Sequence, residues 1–185
     1  MAKKPKLLAD LFHDTLKDVY FAENEILKAL PKMAKKATSK DLQKAFTDHA
    51  EETKGQVKRL EQIFKLLGKK AEGKECHALK GLVKEAEELM EEAKSGPVLD
   101  AGLIACAQAV EHYEMARYGA LGAWAEQLDM EDAGELLEET LDEEKAADEK
   151  LSELAEDINP EADEDEKDED DDEEEKKPKK ATAKS

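Results

Sequence analysis

Glu23, Glu52, Glu114 and Glu144 each fall on a helical stripe of otherwise apolar residues, one in each of four long segments. A carboxylate facing a helical core is costly unless something pairs with it. Four in one core would repel one another unless protons or cations neutralised them. Carboxylates can bridge two divalent ions and bind each end-on, so a pair of metal ions is the economical explanation. Di-iron and di-manganese bundles are built this way, with glutamates projecting inward from facing helices.

Five helices must position these groups. The first spans about 7–37, with Pro31 inside it expected to kink or break it. The second starts near Ser39, a good N-cap, and stops at Gly68, a good residue for the left-handed position beyond a helix end. A shorter amphipathic helix covers about 75–94 and serves as a crossover. Pro97 suits the first turn of the next helix, which runs to about Leu128, and the last runs from near Asp129 to Asn159-Pro160. The apolar spacing alternates four and three, as in a bundle. The first stripe reads Phe12, Leu16, Val19, Glu23, Ile26, Leu30, Met33, Ala37, and the second Leu42, Phe46, His49, Thr53, Gln56, Leu60, Ile63, Leu67. The third reads Leu103, Ala107, Val110, Glu114, Arg117, Leu121, Trp124, Leu128, and the fourth Leu137, Leu141, Glu144, Asp148, Leu151, Ala155, Ile158. Polar residues interrupt each stripe near its middle, and antiparallel packing would bring the interruptions to one height. Glu23 and Glu52 are 29 residues apart and Glu114 and Glu144 are 30 apart, a weak internal repeat that suggests two helix pairs about a pseudo-two-fold.

Composition narrows the class. Of the 185 residues 42 % are charged and 4 % aromatic, which suits an all-α protein. The net charge of −19 disfavours nucleic acid as a partner, since phosphate contacts need basic patches. Residues 161–175 hold thirteen acids and one lysine, and 176–185 hold five lysines and no acid. Hence 1–160 is expected to be the folded domain and 161–185 a disordered tail, acidic and then lysine-rich. No apolar run is long enough for a membrane span, and the start lacks a secretory apolar core, so a cytoplasmic protein is expected. Cys76 and Cys106 are expected to be free thiols.

The segments DVYFAENEILKALPKMA, HAEETKGQVKRLEQIF, QAVEHYEMARYGAL and TLDEEKAADEKLSELA occur in that order. They resemble the YciE/YciF family of ferritin-like proteins, and the resemblance covers about residues 6–158. It implies a ferritin-like antiparallel four-helix bundle with a short crossover helix between helices two and three. It also implies a rubrerythrin-like di-iron carboxylate site, a dimer, a link to bacterial stress and a ferroxidase label. The chain departs from the ferritin pattern, because Gly55 and Ala147 stand where histidines three residues after Glu52 and Glu144 would be. Candidate replacements share the same faces: His49 one turn before Glu52, Asp148 one turn after Glu144, and Glu111 one turn before Glu114. The candidate ligand set is therefore Glu23, His49, Glu52, Glu111, Glu114, Glu144 and Asp148, with Gln56 as a group hydrogen-bonding behind a ligand. Tyr20 and Tyr113 lie close enough in sequence to bond a ligand or give an electron. Arg117, one turn from Glu114, offers the competing account of a plain ion pair.

An oxygen-rich set with an imidazole suits iron or manganese. The expected function is a di-metal protein, two iron or manganese ions per chain, oxidising Fe(II) with O2 or peroxide in stress protection. The alternatives are a non-catalytic dimeric interaction protein with a vestigial or metal-free site, and metal buffering without turnover.

Overall fold

Local chemistry sets most of the helix ends. The computed structural model describes residues 7–175, with side chains described as far as residue 163. Helix α1 (Leu8–Lys36) opens with the Leu7 N–H donating to Asp10 Oδ2 at 3.1 Å, and closes on Lys35 and Lys36, whose charges oppose the helix dipole. Helix α2 (Lys40–Leu66) starts where Ser39 Oγ accepts the Leu42 N–H at 3.3 Å. It ends on Gly68 at φ 64°, with Lys69 N–H donating to the Phe64 carbonyl and Gly68 N–H to that of Lys65. Helix α3 (His77–Glu92) is capped by Cys76 Sγ, which accepts the Leu79 N–H at 3.4 Å. Helix α4 (Pro97–Gln127) carries Pro97 in its first turn as expected, and helix α5 (Glu131–Glu175) follows a turn with Asp129 at φ 54°.

Two prolines behave differently from the sequence expectation. Pro31 lies on the exposed side of an unbroken α1. Pro160 lies inside α5, which runs on to Glu175 rather than ending at Asn159-Pro160. A proline costs the bond to the carbonyl four residues back. For Pro160 that carbonyl belongs to exposed Glu156, where water can satisfy it. Of the expected disordered tail, 161–175 is helical, and 176–185 lies outside the described residues.

Helices α1 and α2 pack as one hairpin and α4 and α5 as another, with α2 against α5 and α1 against α4. Every neighbour in this square is antiparallel. Arg59 of α2 meets Glu139 and His49 meets Glu144, so α5 descends as α2 climbs. Likewise the end of α1 meets the start of α4. Helix α3 crosses outside, on α4 and α1. Gly102 lets α3 approach, because a Cβ there would stand 2.7 Å from Leu89 Cδ2. The expected all-α, four-helix bundle with a crossover helix is the observed fold.

The core is split into two apolar caps. One joins Ile26, Leu30, Met33, Leu42, Phe46, Leu103, Ile104, Leu151 and Ile158. The other joins Phe12, Leu16, Val19, Leu60, Ile63, Phe64, Leu121 and Leu137. Between them the four helices contribute buried Glu23, His49, Thr53, Gln56, Glu111, Glu114, Thr140 and Glu144. The polar interruptions do meet at one height.

Buried Asp100 ties the two hairpins together at one end. It accepts the Thr38 N–H at 2.8 Å, the Thr38 hydroxyl at 2.5 Å and the Ser39 N–H at 2.7 Å. Hydrogen bonds to an ionised acceptor are the stronger kind. Asp100→Ala should therefore lower stability by about 3 kcal/mol, measured by urea denaturation of the metal-free protein; a loss under about 0.5 kcal/mol would show this tie to be idle.

Candidate metal centre

One turn of each of the four bundle helices forms the centre. Alpha-helical spacing of three and four puts Glu111, Glu114 and Tyr118 on one face of α4, and the same rule buries Glu23 on α1, His49 on α2 and Glu144 on α5. His49, Glu111, Glu114 and Glu144 each offer a ligand atom within 4.8 Å of the others, and all four are buried. His49 Nε2 stands 3.4 Å from Glu111 Oε1 and 3.7 Å from Glu144 Oε2. Glu23 is wholly buried beside them, and Tyr118 Oη donates to its Oε1.

The donors in this layer are too few for its acceptors. Glu23 Oε2, His49 Nε2, Glu111 Oε2 and both oxygens of Glu114 and Glu144 are buried without a hydrogen-bond partner. Buried polar atoms are almost always satisfied, so seven orphans in one place call for an explanation. Arg117 does not supply it, for its guanidinium lies 5.1 Å over the Tyr113 ring and leaves both Glu114 oxygens unmatched. The plain ion-pair account of Glu114 is thereby corrected. The nearest arginine along α2, Arg59, is spent on Glu139 at 2.9 Å, on Thr140 and on Glu143. A cation surrounded by these oxygens and one imidazole would satisfy them, so the residues fit a metal.

Electrostatics agree with that fit. Burial, then the charge of Glu144, pushes the Glu23 carboxyl up to about 8, although the Tyr118 hydroxyl works against the rise. Burial likewise raises Glu111 to about 8. Glu114 and Glu144 rise well above the usual carboxylate range, first through burial and then through their carboxylate neighbours. Burial alone would lower His49, but the bond to Glu52 and the charges of Glu144 and Glu23 outweigh it and leave the imidazole more basic than usual. Burial and Glu23 hold the Tyr118 phenol protonated, far above its ordinary range.

The seven sequence candidates divide. Glu23, His49, Glu111, Glu114 and Glu144 share the buried layer. The Glu52 side chain is 52 % exposed, with Oε2 3.4 Å from His49 Nδ1, so it faces outward behind the imidazole rather than the core. Thr53 takes the buried place beside it and donates to the His49 carbonyl at 2.8 Å. Asp148 is turned to the α4 surface, 3.2 Å from Gln108 Nε2 and 3.4 Å from His112 Nε2. Gln56 does hydrogen-bond at the rim, donating to Glu143 at 3.1 Å. Tyr20 bonds Glu61, and Tyr113 bonds Asp18 and Cys76, so neither touches a candidate ligand. The tyrosine that does is Tyr118, which the sequence reading missed. Its signal was the run Glu111, Glu114, Tyr118, Leu121, Ala125 at alternating spacing, one residue on from the stripe chosen through Val110 and Arg117.

Raised carboxylate and imidazole values mean that the folded, metal-free protein binds more protons than the unfolded chain. That stabilising difference is complete below about pH 4.5, and it drains away as pH climbs through about 8 and beyond. Each group contributes at most about 1.4 kcal/mol per pH unit. The apo-protein Tm should therefore fall by at least about 5 °C between pH 5 and pH 8. Glu114→Gln, which removes a buried titrating carboxyl but keeps the shape, should flatten the slope and raise Tm at pH 8. A pH-independent Tm in both proteins would contradict these proton affinities.

Comparison with known proteins places the chain in a family. A model described as a domain of unknown function, DUF892, matches residues 7–163. Protein YciF of Escherichia coli K12 is 45 % identical over 151 residues, 81 % of this chain and 91 % of that protein. The crystal structure of the E. coli stress protein YciF superposes with a TM-score of 0.80 at 44 % identity, covering 83 % of this chain and 98 % of that one. YcfI from Rhodopseudomonas palustris, named as a candidate structural protein, gives a TM-score of 0.78 at 50 % identity over 82 % and 97 % of the two chains. A Xanthomonas campestris protein at 22 % identity and a TM-score of 0.64 shares the fold. With the family model matching residues 7–163, and with 81 % of its own length aligned to the YciF stress protein at 45 % identity, this chain belongs to the DUF892 family.

Proposed function

We propose that the chain is a di-metal carboxylate protein that oxidises Fe(II) with O2 or peroxide and protects a cell under stress. The observation that carries this reading is the buried layer of seven unsatisfied ligand atoms from Glu23, His49, Glu111, Glu114 and Glu144. Glu23, His49, Glu111, Glu114 and Glu144, drawn from all four helices, would hold the two ions. Hard oxygen donors with one imidazole favour iron or manganese. The stress description of YciF supports the biological setting.

Two Fe(II) ions held together can yield two electrons, the number that takes one peroxide and two protons to two waters. The protein's share of the work is done by its own side chains. Glu23 and Glu111, raised to about 8, hold protons at neutral pH and would release them to a bound cation. Tyr118 fixes Glu23 by donating to Oε1, leaving Oε2 free for a ligand bond. The two apolar caps keep bulk water from the layer. We assign the protein to the cytoplasm, as a homodimer. Among the described residues no helix is long and apolar enough to cross a membrane.

A second reading is a non-catalytic dimeric interaction protein whose site has decayed. The outward turn of Glu52 and the absence of histidine at Gly55 and Ala147 favour it. Anaerobic Fe(II) titration followed by peroxide separates the two. The first reading expects about two irons per chain, a ferric absorption band, and loss of both in Glu114→Gln with Glu144→Gln. Absence of bound Fe(II) or Mn(II) would overturn it in favour of the second, and binding without peroxide consumption would leave a metal buffer.

A further inference from the structure

The buried centre needs a way in, and the faces of the bundle are not equivalent. Helix α3 covers the α1–α4 side. The α4–α5 side carries a groove of about 590 Å³ that meets Tyr118, whose hydroxyl is already committed to Glu23. The α2–α5 side carries a cleft of about 660 Å³ that differs in kind, since His49, Glu52 and Glu111 themselves form part of its wall. His49 Nε2 and Glu111 Oε2 are buried there without partners, at 7 % and 3 % residue exposure.

We propose that this α2–α5 cleft is the path by which divalent cations reach the centre, with Glu52 as the carboxylate that receives them at its inner end. The proposal rests on the metal reading above. Three features carry it. The first is the pair of orphaned ligand atoms at the cleft floor. The second is side-chain size: the small Ala147 lines the cleft one turn from Glu144. The third is charge. Asp41, Asp48, Glu52, Glu153 and Asp157 line the cleft against Lys44 and Lys150. Both lysines are already paired within it, with Asp48 and with Glu153 at 2.9 Å. The remaining acids leave the cleft negative, which draws cations toward its mouth. Glu52 stands half in water and half on His49 Nδ1, so it touches both the solvent and a ligand.

Stopped-flow loading of the metal-free full chain with Co(II), read through its d–d absorption, tests the path apart from any oxidation. Two variants perturb it without touching a ligand. Ala147→Leu plugs the cleft and should slow loading at least about tenfold while final stoichiometry holds. The double variant Glu153→Gln with Asp157→Asn should slow loading several-fold at low salt, and the deficit should vanish by about 0.5 M salt. Ala123→Leu, in the α4–α5 groove, should load at the unaltered rate. Circular dichroism verifies that each variant folds. Failure of the unaltered chain to bind Co(II), Mn(II) or Fe(II) would sink the metal reading itself. Normal binding with unchanged rates in both cleft variants, or slowing in Ala123→Leu instead, would overturn the path alone.

Discussion

A buried layer of carboxyl groups with no side-chain cation beside it is the constraint on which the rest of this structure depends. Four carboxyl groups and one imidazole share a space that, among the described residues, no lysine or arginine is shown to reach. Such a layer contributes nothing to folding by itself and resists it when ionised. The favourable terms must come from elsewhere, and the two apolar caps supply them. Each cap draws on all four helices, so neither hairpin can bury its stripe alone. The polar layer is tolerated because it is sandwiched.

The same constraint explains what surrounds the layer. Arg59 stays at the rim on Glu139 and Glu143, where it offsets surface acids without neutralising the centre. Arg117 stacks on Tyr113. Tyr118 donates directly to one of the layer's carboxyl groups, at a single oxygen of Glu23. Neutralisation is therefore left to protons or cations, which come and go, rather than to side chains, which do not.

Much of this was legible in the sequence, and the failures have physical causes. Every residue of the α1 stripe is buried, because a 4-3 alternation with large apolar residues at both ends fixes the helix phase. On α4, alanine and glycine are too frequent to define one face, and the chosen stripe drifted by one residue from Glu111 to Val110 and from Tyr118 to Arg117. The apparent equivalence of Glu52 and Glu144 misled for a related reason. Adjacent residues on a helix point about a quarter-turn apart, and in α2 the core place went to Thr53. The side-chain direction of Asp148 was beyond sequence reasoning, since it depends on Gln108 and His112 across the helix pair. Pro160 does not end α5, because the backbone bond it costs falls on exposed Glu156, where water can replace it.

The split core also has a mechanical meaning. Each bundle helix is a beam clamped at two points, with the ligand-bearing turn in the span between the clamps. Clamping fixes rotation and height, so a one-residue slip in one cap would have to be repeated in the other. The span itself holds Thr53, Thr140 and unpaired carboxylates rather than interlocked Leu and Phe. Stiffness is thus placed at the supports and compliance at the centre, which lets carboxylates change their lean as charge between them changes while the frame holds still.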